Sequence, residues 1–473
     1  MKYLSTRGAP DRWTFKQAVM TGLAPDGGLL LPEAFPDVRA QLPAWSKLSY
    51  ADLAFEIMSL YADDFSPAEL RAIIEKSYAT PTVFRAPEVA PLVQAGPVAV
   101  CELFHGPTLA FKDVALQFLG NCFEKILAEQ GGEINIVAAT SGDTGSAAIH
   151  GLRGRKNINV FILHPAGRVS PVQEMQMTSV LDDNVFNIAL DGTFDDAQAI
   201  VKHLFNDLPF KAARRLGAVN SINWARILAQ IVYYFYAAFR ALEAAAAGRE
   251  SCACADCAAL AKKVSFTVPT GNFGDIFAGY AAARMGLPIR KLILATNEND
   301  ILARYFKTGV YSKSAVAQTI SPSMDIQIAS NFERWLYLRA NRDPELLKKW
   351  MTDFAATGIL QLAPNDPLIT AERADTEQTL ATIKRFHEDY GYLADPHTAV
   401  GITAALPHIV PNEPMICLAT AHPGKFPDAI AAAIGDAAPA AAPEIKALKG
   451  LPTRKTNLPN DAQAIADFIT ERT

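Results

Sequence analysis

The run Ile134-Asn135-Ile136-Val137-Ala138-Ala139-Thr140-Ser141-Gly142-Asp143-Thr144-Gly145 decides the fold class. Its first six residues are a short apolar β-type stretch, the next six a polar glycine loop, and Ser146 to Leu152 resumes as helix. Three other stretches share this grammar. Val264 to Val268 leads through Pro269-Thr270-Gly271-Asn272-Phe273-Gly274-Asp275 into a helix from Ile276 to Met285. Met415-Ile416-Cys417-Leu418-Ala419 passes through Thr420-Ala421-His422-Pro423-Gly424-Lys425 to a helix starting near Pro427. Asn159 to Leu163 ends at His164-Pro165-Ala166-Gly167-Arg168. Strand, loop and helix in this order predict an α/β protein with mostly parallel sheets flanked by helices, whose loops converge at the carboxyl ends of the strands.

Outward from these loops, 473 residues with 50% hydrophobic content suffice for more than one large core. Residues 1–95 read differently, with helices expected over Ser49 to Tyr61 and Pro67 to Tyr78 among proline-rich connectors, and form an expected N-terminal domain. Residues 331–390 are charged and helical, an expected insertion. The alanine-rich stretches Ala244 to Ala261 and Ala437 to Ala447 read as surface helix ends or linkers.

The charge balance, 44 basic against 49 acidic residues, argues against nucleic acid or an anionic membrane as a partner. Met1 to Gly8 lacks the apolar run of a secretory leader, so a mature start here and a cytoplasmic location are expected. The most apolar stretch, Ile227 to Phe239, is shorter than the roughly 20 residues that cross a bilayer and reads as a buried helix. Cys252, Cys254 and Cys257 offer three soft ligands without an obvious fourth, so no metal is expected.

Three segments can carry chemistry. Gly271-Asn272-Phe273-Gly274-Asp275 lies between strand and helix, where glycines let backbone N–H groups approach an anion and the helix start adds partial positive charge. Its spacing is neither the dinucleotide fingerprint nor a Walker loop, and it also suits a plain turn. The hydroxyls and N–H groups of Thr140 to Gly145 can hold a carboxylate, although the same pattern suits an N-cap. Lys112 follows Phe104-His105-Gly106-Pro107-Thr108-Leu109-Ala110-Phe111 and opens an apolar helix. Burial and a helix start both favour the neutral amine that a Schiff base requires, while a solvated lysine opening a helix is the plain alternative. His105 reads as either a turn histidine or a catalyst.

In order along the chain, Phe104 to Thr108 with Phe111-Lys112-Asp113, Thr140 to Gly145, and Gly271 to Asp275 resemble threonine synthase. So do the opening Tyr3-Leu4-Ser5-Thr6-Arg7-Gly8, Pro25-Asp26-Gly27-Gly28-Leu29, Asp395-Pro396-His397-Thr398-Ala399-Val400-Gly401 and Ala419 to Phe426. The resemblance implies a fold-type-II pyridoxal-phosphate enzyme, tryptophan synthase β-like. It also implies conversion of O-phospho-L-homoserine and water to L-threonine and phosphate, by a monomer or homodimer. A large cofactor domain of 96–135, 225–330 and 391–473 and a small mobile substrate domain of 136–224 follow. Lys112 would bond pyridoxal 5'-phosphate, with Gly271, Asn272, Phe273, Gly274 and Asp275 around the cofactor phosphate and Thr420 near the pyridine nitrogen. Thr140, Ser141, Asp143 and Thr144 would serve the substrate carboxylate, Asp143 by capping or orienting the loop. Arg168, Ser170, Asn223 and Lys425 are candidates for the substrate phosphate, with Ser221 near them in the order of motifs. Another lyase of this fold, or a catalytically silent relative, are the rival readings.

Overall fold

The structure, a computed structural model, describes residues 1–247, 262–436 and 440–473. Two sheets organise it. The first has six strands in the order Ile369–Arg373, Ile289–Thr296, Val264–Pro269, Met415–Ala419, Val98–Glu102 and Leu92–Ala95. Every pairing is parallel except the edge hairpin of the last two. The second sheet runs Thr456–Leu458, Val185–Leu190, Ile158–Pro165, Ile134–Ala139 and Leu216–Gly217, parallel throughout. Val264–Pro269 and Met415–Ala419 are buried at every residue, the pattern of central parallel strands covered by helices on both faces.

Between the two sheets pack the helices Lys112–Gln130 and Asp143–Leu152, and their approach depends on paired glycines. A Cβ added to Gly120 would lie 2.1 Å from the Gly151 carbonyl oxygen, and one added to Gly151 would lie 2.6 Å from that of Leu116. Only glycine permits backbones this close. Because Lys112 and Asp143 are the first residues of these two helices, the same crossing sets the distance between them. The helix Trp224–Ala247 lies behind, buried over the whole apolar run from Ile227 to Phe239. Among the described residues no helix is long and apolar enough to cross a membrane.

The structure differs from the sequence reading in three places. Tyr3, Phe15, Leu30, Leu53 and Ile57 share one buried cluster with Trp224, Tyr233 and Phe266, so the core of residues 1–95 is continuous with that around the first sheet. Their last strand, Leu92–Ala95, is the edge of the first sheet. The segment 331–390 is not wholly helical, since Ile369–Arg373 pairs in parallel with Ile289–Thr296 and closes the other edge. Within 391–473, Thr456–Leu458 joins the second sheet rather than the first, and Ile465, Phe468 and Ile469 pack against Val137, Phe161 and Leu163. Partner choice for a strand of three residues is a long-range outcome that local pattern does not encode. Cys252, Cys254 and Cys257, with most of the first alanine-rich stretch, lie outside the described residues, as do 437–439.

Candidate active site

Lys112 is the first residue of its helix, and the turn before it fixes where its side chain starts. A Cβ on Gly106 would sit 2.4 Å from that of Asp113, so only glycine lets the turn fold onto the helix. Thr108 then donates from its backbone N–H (2.8 Å) and its hydroxyl (2.7 Å) to the Asp113 carboxylate. Phe111 N–H donates to the Thr420 carbonyl at 2.8 Å, and His422 N–H to that of Leu109 at 3.0 Å. These bonds zip the Thr420 loop to the Lys112 segment. His105 stands aside, its Nε2 2.9 Å from a Glu102 carboxylate oxygen.

Lys112 is 8% exposed and its side chain points inward. Its Nζ lies 3.2 Å from the Ser323 hydroxyl and 3.4 Å from Asp143 Oδ2. Burial pushes the amine below its ordinary value; Asp143 opposes this, and the nearby Lys425 and Arg226 charges add to the fall.

Asp143 does more than serve its loop. Gly142 is the N-cap of the helix Asp143–Leu152 and provides no side-chain cap, while the Asp143 carboxylate turns into the pocket. There it lies 2.7 Å from the fully buried Lys425 Nζ and accepts from Gln173 Nε2 at 2.7 Å and the Ser323 hydroxyl at 3.1 Å. Burial alone would raise its pKa, but Lys425, then Lys112, hold it well below the usual carboxylate range. The expected capping role falls instead to Thr140, whose Oγ1 accepts from the N–H groups of Gly142 (3.0 Å) and Gly145 (2.8 Å). Ser141 and Thr144 remain half-buried at the loop surface.

Across the pocket, Phe273 adopts φ +62°, the left-handed turn that opens the helix Gly274–Arg284. The Asn272 carbonyl is held by the backbone N–H and side-chain Nδ2 of Asn331, at 3.0 and 3.1 Å. A Cβ on Gly271 would lie 2.8 Å from the Ser323 carbonyl oxygen. Ser323 therefore holds its carbonyl where a Gly271 side chain would be and its hydroxyl at the Lys112 amine, so a loop suited to a phosphate and a buried amine share one pocket. A pyridoxal phosphate needs both, and the residues present fit it: an amine disposed to neutrality, and glycine backbone at a helix N-terminus.

Asp275 places a carboxylate inside this anion loop, yet its side chain is turned away. One oxygen accepts from the hydroxyls of Tyr233 (2.6 Å) and Tyr234 (2.9 Å). Burial pushes this carboxyl up to about 6, and the two hydroxyls resist the rise. Its contribution to stability is thus present below the usual carboxylate range and lost as pH rises through about 6. Asp275→Asn keeps an oxygen for both tyrosines and never ionises. The variant is expected to equal wild type at about pH 4 and to exceed it by roughly 1–3 kcal/mol at about pH 8. Urea unfolding at the two pH values measures this, and a pH-independent difference contradicts it.

The remaining expected site residues divide. Lys112, Asp143, Lys425 and Gly271 meet around Ser323. Ser170 caps the helix Pro171–Thr178 and bonds Gln173, whose amide reaches Asp143. Arg168 is exposed on its loop. Asn223 is committed to structure, donating to the Val19 carbonyl at 2.9 Å and accepting from Ala225 N–H at 3.1 Å. The sequence reading passed over Ser323, Gln173 and the role of His397, although Asp395-Pro396-His397-Thr398 was conspicuous as a motif.

Comparison with known proteins places this geometry. Residues 2–78 match the family described as "Threonine synthase N terminus", residues 398–469 match "Threonine synthase, C-terminal", and residues 75–420 match "Pyridoxal-phosphate dependent enzyme". The threonine synthase of Saccharomyces cerevisiae is 48% identical over 471 residues, spanning 90% of this chain and 88% of that one. That of Pseudomonas aeruginosa is 44% identical over 482 residues, spanning 100% and 98%. A solved structure of PLP-bound threonine synthase from Brucella melitensis superposes with a TM-score of 0.91 at 44% identity, covering 100% of this chain and 99% of the other.

Proposed function

This chain belongs to the threonine synthase family of pyridoxal-phosphate enzymes, and from that membership we infer that it converts O-phospho-L-homoserine and water into L-threonine and phosphate. The observation that carries the assignment of roles is the shared pocket: Ser323 bonds the Lys112 amine and has its carbonyl where a Gly271 side chain would be. When bound, the cofactor supplies an electron sink for negative charge at the α and β carbons of the substrate.

The chain's own residues divide the rest of the work. Lys112 would hold the cofactor, and its amine, when free, would be the base that takes and returns protons at those two carbons. Burial favours the uncharged form this requires. With Asp143 and the Ser323 hydroxyl receiving its two N–H hydrogens, the lone pair of the neutral amine is directed away from both. Asn272, Phe273, Gly274 and Asp275 would offer backbone N–H groups to the cofactor phosphate. Thr420, whose carbonyl is tied to Phe111, would turn its hydroxyl to the ring nitrogen.

Ser141, Thr144 and the N–H groups of their loop bind the substrate carboxylate, which Asp143 does not repel because Lys425 neutralises it. Lys425, fully buried, is the cation that stabilises charge on the departing phosphate oxygens. Arg168 reaches that phosphate only if its loop closes inward, a motion we assign to 140–220. Asn223 has no part, its amide being bonded at both ends. We place the enzyme in the cytoplasm as a monomer or homodimer acting on a small molecule, without nucleic acid or membrane partners. The balanced charge and the unpaired Cys101, Cys122 and Cys417 support this placement.

Incubation of the full chain with O-phospho-L-homoserine, with and without added pyridoxal phosphate, tests the reaction. Equimolar threonine and phosphate, increased by the cofactor, are expected. Phosphate without threonine would favour another lyase of this fold; neither product, with cofactor bound, would favour a silent relative.

A further inference from the structure

The motif Asp395-Pro396-His397-Thr398 ends in the same pocket and bonds it at two points, the Thr420 N–H donating to the Thr398 hydroxyl oxygen (3.3 Å) and His397 meeting Ser323. Asp395 caps the helix Pro396–Ala405, accepting from the N–H groups of His397 (2.9 Å) and Thr398 (3.3 Å) and from the Thr398 hydroxyl. The same carboxylate lies 2.8 Å from His397 Nδ1. The ring is 3% exposed, with the Phe426 ring against it at 4.9 Å between centroids. A carboxylate facing Nδ1 requires that nitrogen to carry a hydrogen, which leaves Nε2 as an acceptor in the neutral ring. Nε2 faces a donor, the backbone N–H of Ser323, at 3.2 Å.

Ser323 is the middle residue of the 3-10 turn Pro322–Met324. From the opposite side the turn is anchored through Asp325, which accepts from Asn297, Asn299 and Thr319. Between these two attachments Ser323 presents its carbonyl to Gly271 and its hydroxyl to Lys112 and Asp143. Loss of the His397 acceptor frees one side of the turn and leaves the Ser323 N–H without its partner.

We propose that His397, held in one tautomer by Asp395, is a positioning residue that pins the turn Pro322–Met324 as a wall of the cofactor pocket. It acts through Ser323 on both the phosphate loop and the Lys112 amine. The inference rests on the roles given above to Lys112 and the glycine loop. A residue that merely filled space would affect stability; this pin sets cofactor affinity and turnover while leaving substrate affinity nearly alone.

The test uses the full-length holoenzyme and three substitutions at one position. His397→Ala removes the acceptor, His397→Asn keeps an amide too short to reach Ser323, and His397→Gln places a carbonyl oxygen near the site of Nε2. For Ala and Asn, the dissociation constant of pyridoxal phosphate is expected to rise about tenfold, with hydrogen exchange at the Ser323 amide accelerated at least about tenfold. Turnover is expected to fall about tenfold with KM within about twofold, and Gln to recover all three to within about threefold. If His397→Ala does not fold, the contrast between Asn and Gln decides. Wild-type cofactor affinity and Ser323 exchange in the Ala or Asn variant overturn the proposal, and so does a Gln variant as impaired as Asn. Lys112→Ala is measured beside them through the visible absorption of the bound cofactor. If that variant loses the absorption while the His397 variants match wild type, only the pin falls; if it keeps the absorption, the reading of the pocket falls and the pin with it.

Discussion

Lys112→Ala is expected to lower turnover by about a thousandfold or more and to remove the visible absorption that the wild-type chain acquires with pyridoxal phosphate. Loss of this one side chain removes the bond to the cofactor and the base that serves successive proton transfers, and no neighbour replaces both. Lys425 is the only other lysine at the Asp143 carboxylate among the described residues, and its Nζ is already committed to Asp143 (2.7 Å) and the Thr108 carbonyl (2.8 Å). Folding is expected to survive. Alanine suits the first turn of a helix, and Asp143 keeps Lys425 when Lys112 is gone. A folded protein with wild-type turnover would contradict the assignment, and stopped phosphate-release assays measure it.

Asp143→Ala is expected to act on the other side of the same pocket and to cost stability as well as activity. The substitution leaves a fully buried Lys425 without its directly bonded carboxylate and leaves Gln173 and Ser323 without their acceptor. Breaking a buried pair from one side typically costs about 3–5 kcal/mol. The expected result is a loss of that order in chemical unfolding, with turnover reduced at least about a hundredfold as the Lys112 amine loses one of the two groups that orient it. The dependence on pH has a definite sign. With its value in the folded state held below the usual carboxylate range, Asp143 contributes stability above that range and loses it as pH falls further. The gap between wild type and variant is therefore widest near neutrality and narrows on acidification below about pH 4. A variant as stable as wild type at neutral pH would show that the carboxylate is not the partner that keeps Lys425 buried.

The parts of the site that were legible in the sequence are those in which a local pattern carries its own chemistry. Gly106 and Pro107 mark the turn before Lys112, and Gly271 to Asp275 lie between strand and helix, so both could be read from neighbours in the chain. The fold class was legible for the same reason, since the buried runs Val264–Pro269 and Met415–Ala419 each end in a polar loop and a helix.

What escaped the sequence was assembled at long range. Ser323 reaches Lys112 across 211 residues and Asp143 across 180, and nothing in Ser321-Pro322-Ser323-Met324 announces either contact. Asp143 was expected to cap or orient its loop because a bare carboxylate would repel a substrate carboxylate, and the capping half does not hold. Here glycine takes that position, and two lysines from other segments claim the carboxylate. Asn223 misled in the opposite direction: its amide resembles a ligand in sequence but ties the helix Trp224–Ala247 to Val19. The final strand Thr456–Leu458 shows the same limit at the level of the fold, because three residues carry too little pattern to reveal which sheet they join.

Chemical reduction of the holoenzyme with borohydride, followed by proteolysis and mass spectrometry, tests most directly which amine bonds the cofactor. The account predicts a pyridoxyl-phosphate adduct on the peptide containing Lys112 and none on the peptide containing Lys425. An adduct on Lys425, or on any lysine other than Lys112, would contradict it.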